Sequence, residues 1–227
     1  MPSFFVDLAT LSVASAFAPG QILICLLLLQ SPDRGVLKAG CLVGGMTVVR
    51  VVQGALFGPI LTGAAIRALR RGQHGAITST LLMMLGILLL IAAYEQWQHE
   101  AGDDAPPPKW LAIVNGLTPI KAFGVGVFLI AVSTKFWAFT LSALGVIGEA
   151  HLNRLDATIA FVFFILGAEF LLLLTILIRI VAPERITASL NTMSTWLLRH
   201  TRDLLVAASL LFGLFFLVIG VSRLLAL

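Results

Sequence analysis

Apolar residues fall into six blocks, at about residues 4–30, 38–64, 76–97, 119–147, 157–181 and 204–225, separated by short polar stretches. Each is long enough to cross a hydrocarbon core of roughly 30 Å, which takes about 20 residues of helix. The pattern therefore predicts six transmembrane helices. Four of the blocks are interrupted near their midpoints: the first by Pro19, Gly20 and Gln21, the second by Arg50 and Gln53, the fourth by Ser133, Thr134 and Lys135, and the fifth by Glu169. Charges and helix breakers at bilayer depth are unfavourable unless they line a polar path, so these nine residues form the candidate substrate or ion site.

The pattern also divides the chain. Residues 99–118 carry Glu100, Asp103, Asp104 and the prolines 106–108, and separate a half at 1–98 from a half at 119–227. Three spans per half means that, if the halves are related, the second is inverted. AFAPGQILICLLLL, the turn SPDRG and the Gly-rich AGCLVGGMTVV in the first half parallel AVSTKFWAFTLSAL, GEAHLNRLD and AFVFFILGAEF in the second. Pro19 then corresponds to Thr134 and Gly45 to Gly167. Near 185–200, Ile186, Leu190, Met193 and Leu197 recur at helical spacing beside Trp196 and between Arg185, Arg199 and Arg202, which predicts a short interfacial helix. The expected fold is an all-α integral membrane protein of six transmembrane helices in two inverted three-helix repeats, plus that interfacial helix.

Composition agrees, with 59% hydrophobic residues, 11% charged and a mean hydropathy of +1.03. The first block lacks a basic n-region and a cleavage site, so it is expected to remain as a span. Connections this short hold no cofactor fold and no nucleic-acid module, and the net charge of +4 points to anionic lipid as the partner. No cofactor is expected. Cys25 and Cys41 both lie in the first half, in no metal or C-x-x-C pattern, and His74, His99, His151 and His200 all fall in connections. No catalytic motif stands out, so an enzyme is not expected. Basic residues lie on both sides; RALRRGQHG favours cytoplasmic termini in the cell's inner (plasma) membrane.

Pro19 removes a backbone donor and breaks or kinks the first span, freeing polar backbone groups at depth. Arg50 cannot deprotonate and needs a carboxylate, carbonyls or an anionic ligand, with Gln53 on the same face. Glu169 is the obvious internal partner, and Lys135 either competes for it or is the group that gives up a proton. Two cations and one anion leave one positive charge over, which suits an anionic headgroup or carboxylate. Gly40, Gly44, Gly45 and Gly54 read as a helix-packing stripe, as do Gly124 and Gly126. Asp7 and Arg179, near the ends of their spans, are expected to snorkel.

Six spans, the mid-span proline in ASAFAPGQI, the SPDRG turn, the Gly-rich second span, the polar linker and TPIKAFGVGVFL together resemble the GAP family of the lysine-exporter superfamily, the actinobacterial peptidoglycolipid-addressing proteins, which are grouped with the sulfolipid-addressing proteins (Sap). In that family the fourth span continues with asparagine, proline and lysine; here Ser133 and Thr134 precede the matching Lys135, so the fourth span is a break or near-break without the second proline. The resemblance implies export of a cell-envelope lipid or glycolipid, with an anionic lipid or glycolipid as substrate and a homodimer or an envelope-lipid export system as partner. Its other branches make a proton-coupled exporter of an amino acid or similar solute, with Glu169 carrying the proton, the alternative. A membrane thiol carrier, which needs one cysteine in each half, is the remote one.

Overall fold

The computed structural model describes residues 2–70, 76–98, 114, 116–181 and 183–225, and every regular element among them is an α-helix. The first half holds α1 (Pro2–Ala16), α2 (Pro19–Gln30), α3 (Gly35–Arg70) and α4 (Ala76–Gln98). The second holds α5 (Pro119–Val132), α6 (Thr134–Glu149), α7 (Arg154–Val181) and α8 (Pro183–Leu225). Four single stretches are long and apolar enough to cross a membrane: Gly35–Ala64, Ile77–Gln98, Arg154–Val181 and Arg199–Leu225. The two other expected spans are bent pairs, α1 with α2 turned by 56° and α5 with α6 turned by 72°. The acidic and proline-rich part of the linker, with His74 and His99, lies outside the described residues.

The two bends have different causes. Ala18 precedes a proline and is driven out of helical geometry, to φ −124° and ψ 82°, while Pro19 opens α2 without a donor to continue the ladder. No proline acts in the second. Ser133 turns the chain at φ −80° and ψ 109°, and the Trp137 indole N–H donates to the Ala131 carbonyl at 2.8 Å, replacing a lost helical bond. Phe57 of α3 meets that indole edge to face at 5.5 Å. In both halves the polar turn that follows contains a non-glycine residue in left-handed geometry, Arg34 (φ 53°) and His151 (φ 50°).

Packing runs across the halves. α3 lies against α5, α7 against α1, α4 against α8, and α3 also meets α7. Two of these contacts bring backbones together: a Cβ on Gly126 would sit 2.0 Å from the Leu42 carbonyl oxygen, and one on Gly45 2.2 Å from that of Phe123. Its expected counterpart Gly167 packs α7 on the Ser12 side chain of α1, with 2.7 Å to the Ser12 Cβ. Gly40 and Gly44 depart from the expected stripe, as does Gly124: a Cβ on any of them meets nothing within 4 Å. The helical period explains this, because Gly45 lies on the α5 side of α3 and the other two do not.

Each long helix divides its faces by chemistry. On α3, Val48, Val51, Val52, Leu56 and Ile60 are exposed, while Leu42, Met46, Arg50 and Gln53 are buried. Such exposed apolar faces suit a lipid surround, which is as apolar as the side chains. Helix ends are tied by polar contacts: Glu149 accepts the Thr78 N–H at the start of α4 (2.9 Å), and Arg202 donates to the carbonyls of Gln96 and Trp97 at its end (3.1 and 2.6 Å). Asp7 does not snorkel but forms a two-pronged pair with Arg223, at 2.7 and 2.9 Å.

The expected short interfacial helix is not a separate element. Residues 185–200 form the start of α8, one helix of 43 residues and about 64 Å. No proline or glycine occurs between Pro183 and Gly213 to stop it. Trp196 is exposed there and stacks on His200 at 4.8 Å, while Leu197 turns inward.

Candidate functional site: a buried arginine between two broken helices

Arg50 lies midway along the Gly35–Ala64 span and Glu169 midway along Arg154–Val181, and the breaks at Phe17–Ala18 and at Ser133 fall midway along their own bent pairs. All four interruptions thus fall at the centres of their own helices or bent pairs. Arg50 is completely buried and reaches all of the surrounding elements. Its Nη2 donates to Ser15 Oγ at 3.2 Å, in the last turn of α1 before the first break. Its Nε lies 3.6 Å from Glu169 Oε1 on α7. The guanidinium carbon stands 5.9 Å from the Phe136 ring centroid, in the first turn of α6 after the second break, and 5.6 Å from that of Phe164 on α7.

The expected partnership of Arg50 with Glu169 is therefore present, with Thr47 as a third member: its hydroxyl donates to Glu169 Oε2 at 2.7 Å. Lys135 is not in that pair. It is half-buried, with Nζ 5.3 Å from the centroid of the same Phe136 ring. One aromatic ring thus stands beside both cations, and Glu169 balances Arg50. Lys135 remains as the surplus positive charge, in the first turn of a helix whose N-terminal dipole is also positive.

The polar groups here are incompletely used. Among the described residues, Arg50 Nε and Nη1, Glu169 Oε1, both carboxamide atoms of Gln53 and Gln21 Nε2 are buried without a hydrogen-bond partner in the chain. Each such atom costs about 1–3 kcal/mol. Cation–π contacts give roughly 2 kcal/mol apiece when desolvated but use none of the N–H donors, so the guanidinium keeps donors free for a two-oxygen acceptor.

The remaining expected residues divide. Pro19 is buried and fixes the first break, and Gln21 is buried in the first turn of α2, whereas Gly20 and Thr134 face outward and Ser133 serves through its backbone. Ser15, Thr47, Phe136 and Phe164 were not among the expected site residues. Thr47 had a signal, since it lies three positions before Arg50 on one helical face. Among the described residues, no group of three or more His, Cys, Asp or Glu side chains is placed to hold a metal ion, and Cys25 and Cys41 are free thiols.

The family model for Sap, the sulfolipid-1-addressing protein, matches residues 8–222, which include every residue of this site. The chain belongs to the Sap family. No curated protein and no solved structure matches it. The matched range begins in α1 of this Sap-family chain and ends in the last turns of α8, so both helix breaks and both long spans that carry the ion pair lie within the family's unit.

Proposed function

We propose that this Sap-family protein exports an anionic cell-envelope lipid or glycolipid across the inner membrane, as a transporter and not an enzyme. The family description, sulfolipid-1-addressing, is compatible with lipid export. The observation that carries the proposal is Arg50: a completely buried guanidinium at mid-depth, between two broken helices, with Nε and Nη1 unbonded. Anionic substrate groups suit the N-terminal ends of half-helices at that depth, and α2 and α6 both begin there with no acid in the first turn. In this reading Lys135 attracts the headgroup, Arg50 receives it, and the acyl chains stay in lipid.

The architecture we propose is six spans in two inverted repeats, 1–98 and 119–227, joined by 99–118, with cytoplasmic termini, as in the lysine-exporter superfamily. Support comes from matched features: each half holds a bent pair, a left-handed residue in the next turn, and a glycine on its second span that packs on the other half's broken helix. A homodimer, or a partner in an envelope-lipid export system, belongs to the same proposal. One observation favours proton-coupled export of a small solute as a second reading. Glu169, the carboxylate at mid-depth, is held by one hydroxyl and by an arginine that makes it no hydrogen bond.

The test is the amount of anionic glycolipid at the cell surface, measured by mass spectrometry of surface extracts. Lys135→Met should lower it about fivefold, the effect of one lysine on an anionic headgroup, and Arg50→Met should lower it further. Unchanged surface lipid in both variants would refute lipid export through this site.

A further inference from the structure

α3 carries a second inward-facing cation that the midplane site does not use. Lys38 is 7% exposed, and its Nζ donates to Ser31 Oγ at 2.6 Å. Among the described residues no carboxylate lies within ion-pair distance of it; the pairs found there are Arg50 with Glu169 and Arg223 with Asp7. Asp33, five positions earlier, is exposed and makes no such pair. A buried ammonium that has only a neutral hydroxyl lacks the complement that buried charges normally have. An oxyanion supplies it. The first turn of α3 bears no acidic side chain; its positive end meets the negative end of α2, whose C-cap is Ser31, so the Lys38 charge itself is what an oxyanion meets at this point.

Lys38 and the midplane site lie on one broad buried side of α3. Lys38, Leu42, Met46 and Arg50 recur every four residues and are all buried, but each step turns about 40°, so Lys38 and Arg50 stand roughly 120° apart around the axis, at the two edges of that side. Twelve residues of helix put the two cations about 18 Å apart along the axis, one near a membrane face and one at mid-depth. Leu42 and Met46, completely buried, fill the interval where Gly126 brings the α5 backbone against α3.

We propose that Lys38, held by Ser31, is a second station for the anionic headgroup of the exported lipid, at one membrane face. The headgroup passes between it and Arg50 when the α3–α5 contact at Leu42 and Met46 parts. This rests on the lipid-export reading, with the site extended from a midplane cluster to a path. The alternative role for Lys38 is to complete the end of α2, whose C-cap is Ser31.

Surface glycolipid per copy of membrane-inserted protein separates these in the full chain. Lys38→Gln keeps a donor for Ser31 but removes the charge, and should lower surface anionic glycolipid about fivefold. Lys38→Arg should restore it, and Ser31→Ala, which leaves the charge, should keep most of it. Surface lipid unchanged in Lys38→Gln but lost in Arg50→Met overturns the second station alone; unchanged in both, it overturns the export reading itself. A loss in Ser31→Ala as large as that in Lys38→Gln assigns the pair to helix capping and also overturns the station.

Discussion

Arg50 is held by two rings, one hydroxyl and an ion pair longer than a hydrogen bond. Such restraints are weakly directional, so the guanidinium can turn toward a ligand without first losing strong hydrogen bonds. The pair with Glu169 still matters for stability, because removing one partner of a buried pair leaves an uncompensated charge and costs about 3–5 kcal/mol. Glu169→Ala should therefore lower the melting temperature of the detergent-solubilised protein, while the double replacement Arg50→Met with Glu169→Leu should recover most of it without restoring export. A double variant that exports lipid would show that the pair is structural. At this scale the charges were legible in the sequence, since no polar residue sits at bilayer depth cheaply. The rings were not: Phe136 and Phe164 are two of 15 phenylalanines, the ordinary residue of an apolar span, and only three-dimensional packing distinguishes them.

The broken helices set what those residues can do. Both α2 and α6 start at the middle of their bent pairs, and the first turn of α6 carries Lys135 and Phe136 together. Pro19 announced the first break, whereas the second rests on Ser133 and on Trp137 covering the Ala131 carbonyl, which no local rule predicts. α3 and α5 hold this arrangement through backbone contact. Gly126→Ala would force a Cβ to within 2.0 Å of the Leu42 carbonyl, whereas Gly124→Ala, two residues away, would add a methyl to open space. Overpacking of about 1–3 kcal/mol predicts a melting temperature lower by about 2–12 °C for Gly126→Ala and no measurable change for Gly124→Ala. Equal effects at both positions would remove the close contact from the explanation. The Gly40 to Gly44 spacing was misleading because the motif names a spacing and not the face that finds a partner.

For the whole molecule, the six apolar blocks located the helical segments, because an apolar run of about 20 residues is what a span requires; two of the blocks are bent pairs. The cross-half pairing of α3 with α5, α7 with α1 and α4 with α8 was not readable, since hydrophobicity alone does not say which apolar face meets which. That pairing is what brings one ion from each half to a common point. The boundary of α8 was missed for a related reason: a polar face at 185–200 marks a change of surroundings, not a change of backbone. The most direct measurement is an electron cryomicroscopy map of the full chain in nanodiscs made from the producing cell's own lipids. Lipid export through this site predicts elongated density between the two broken helices, with its headgroup at hydrogen-bonding distance from Arg50 Nε or Nη1. A map in which protein side chains alone occupy that space, with the lipids confined to the outer belt, would contradict it.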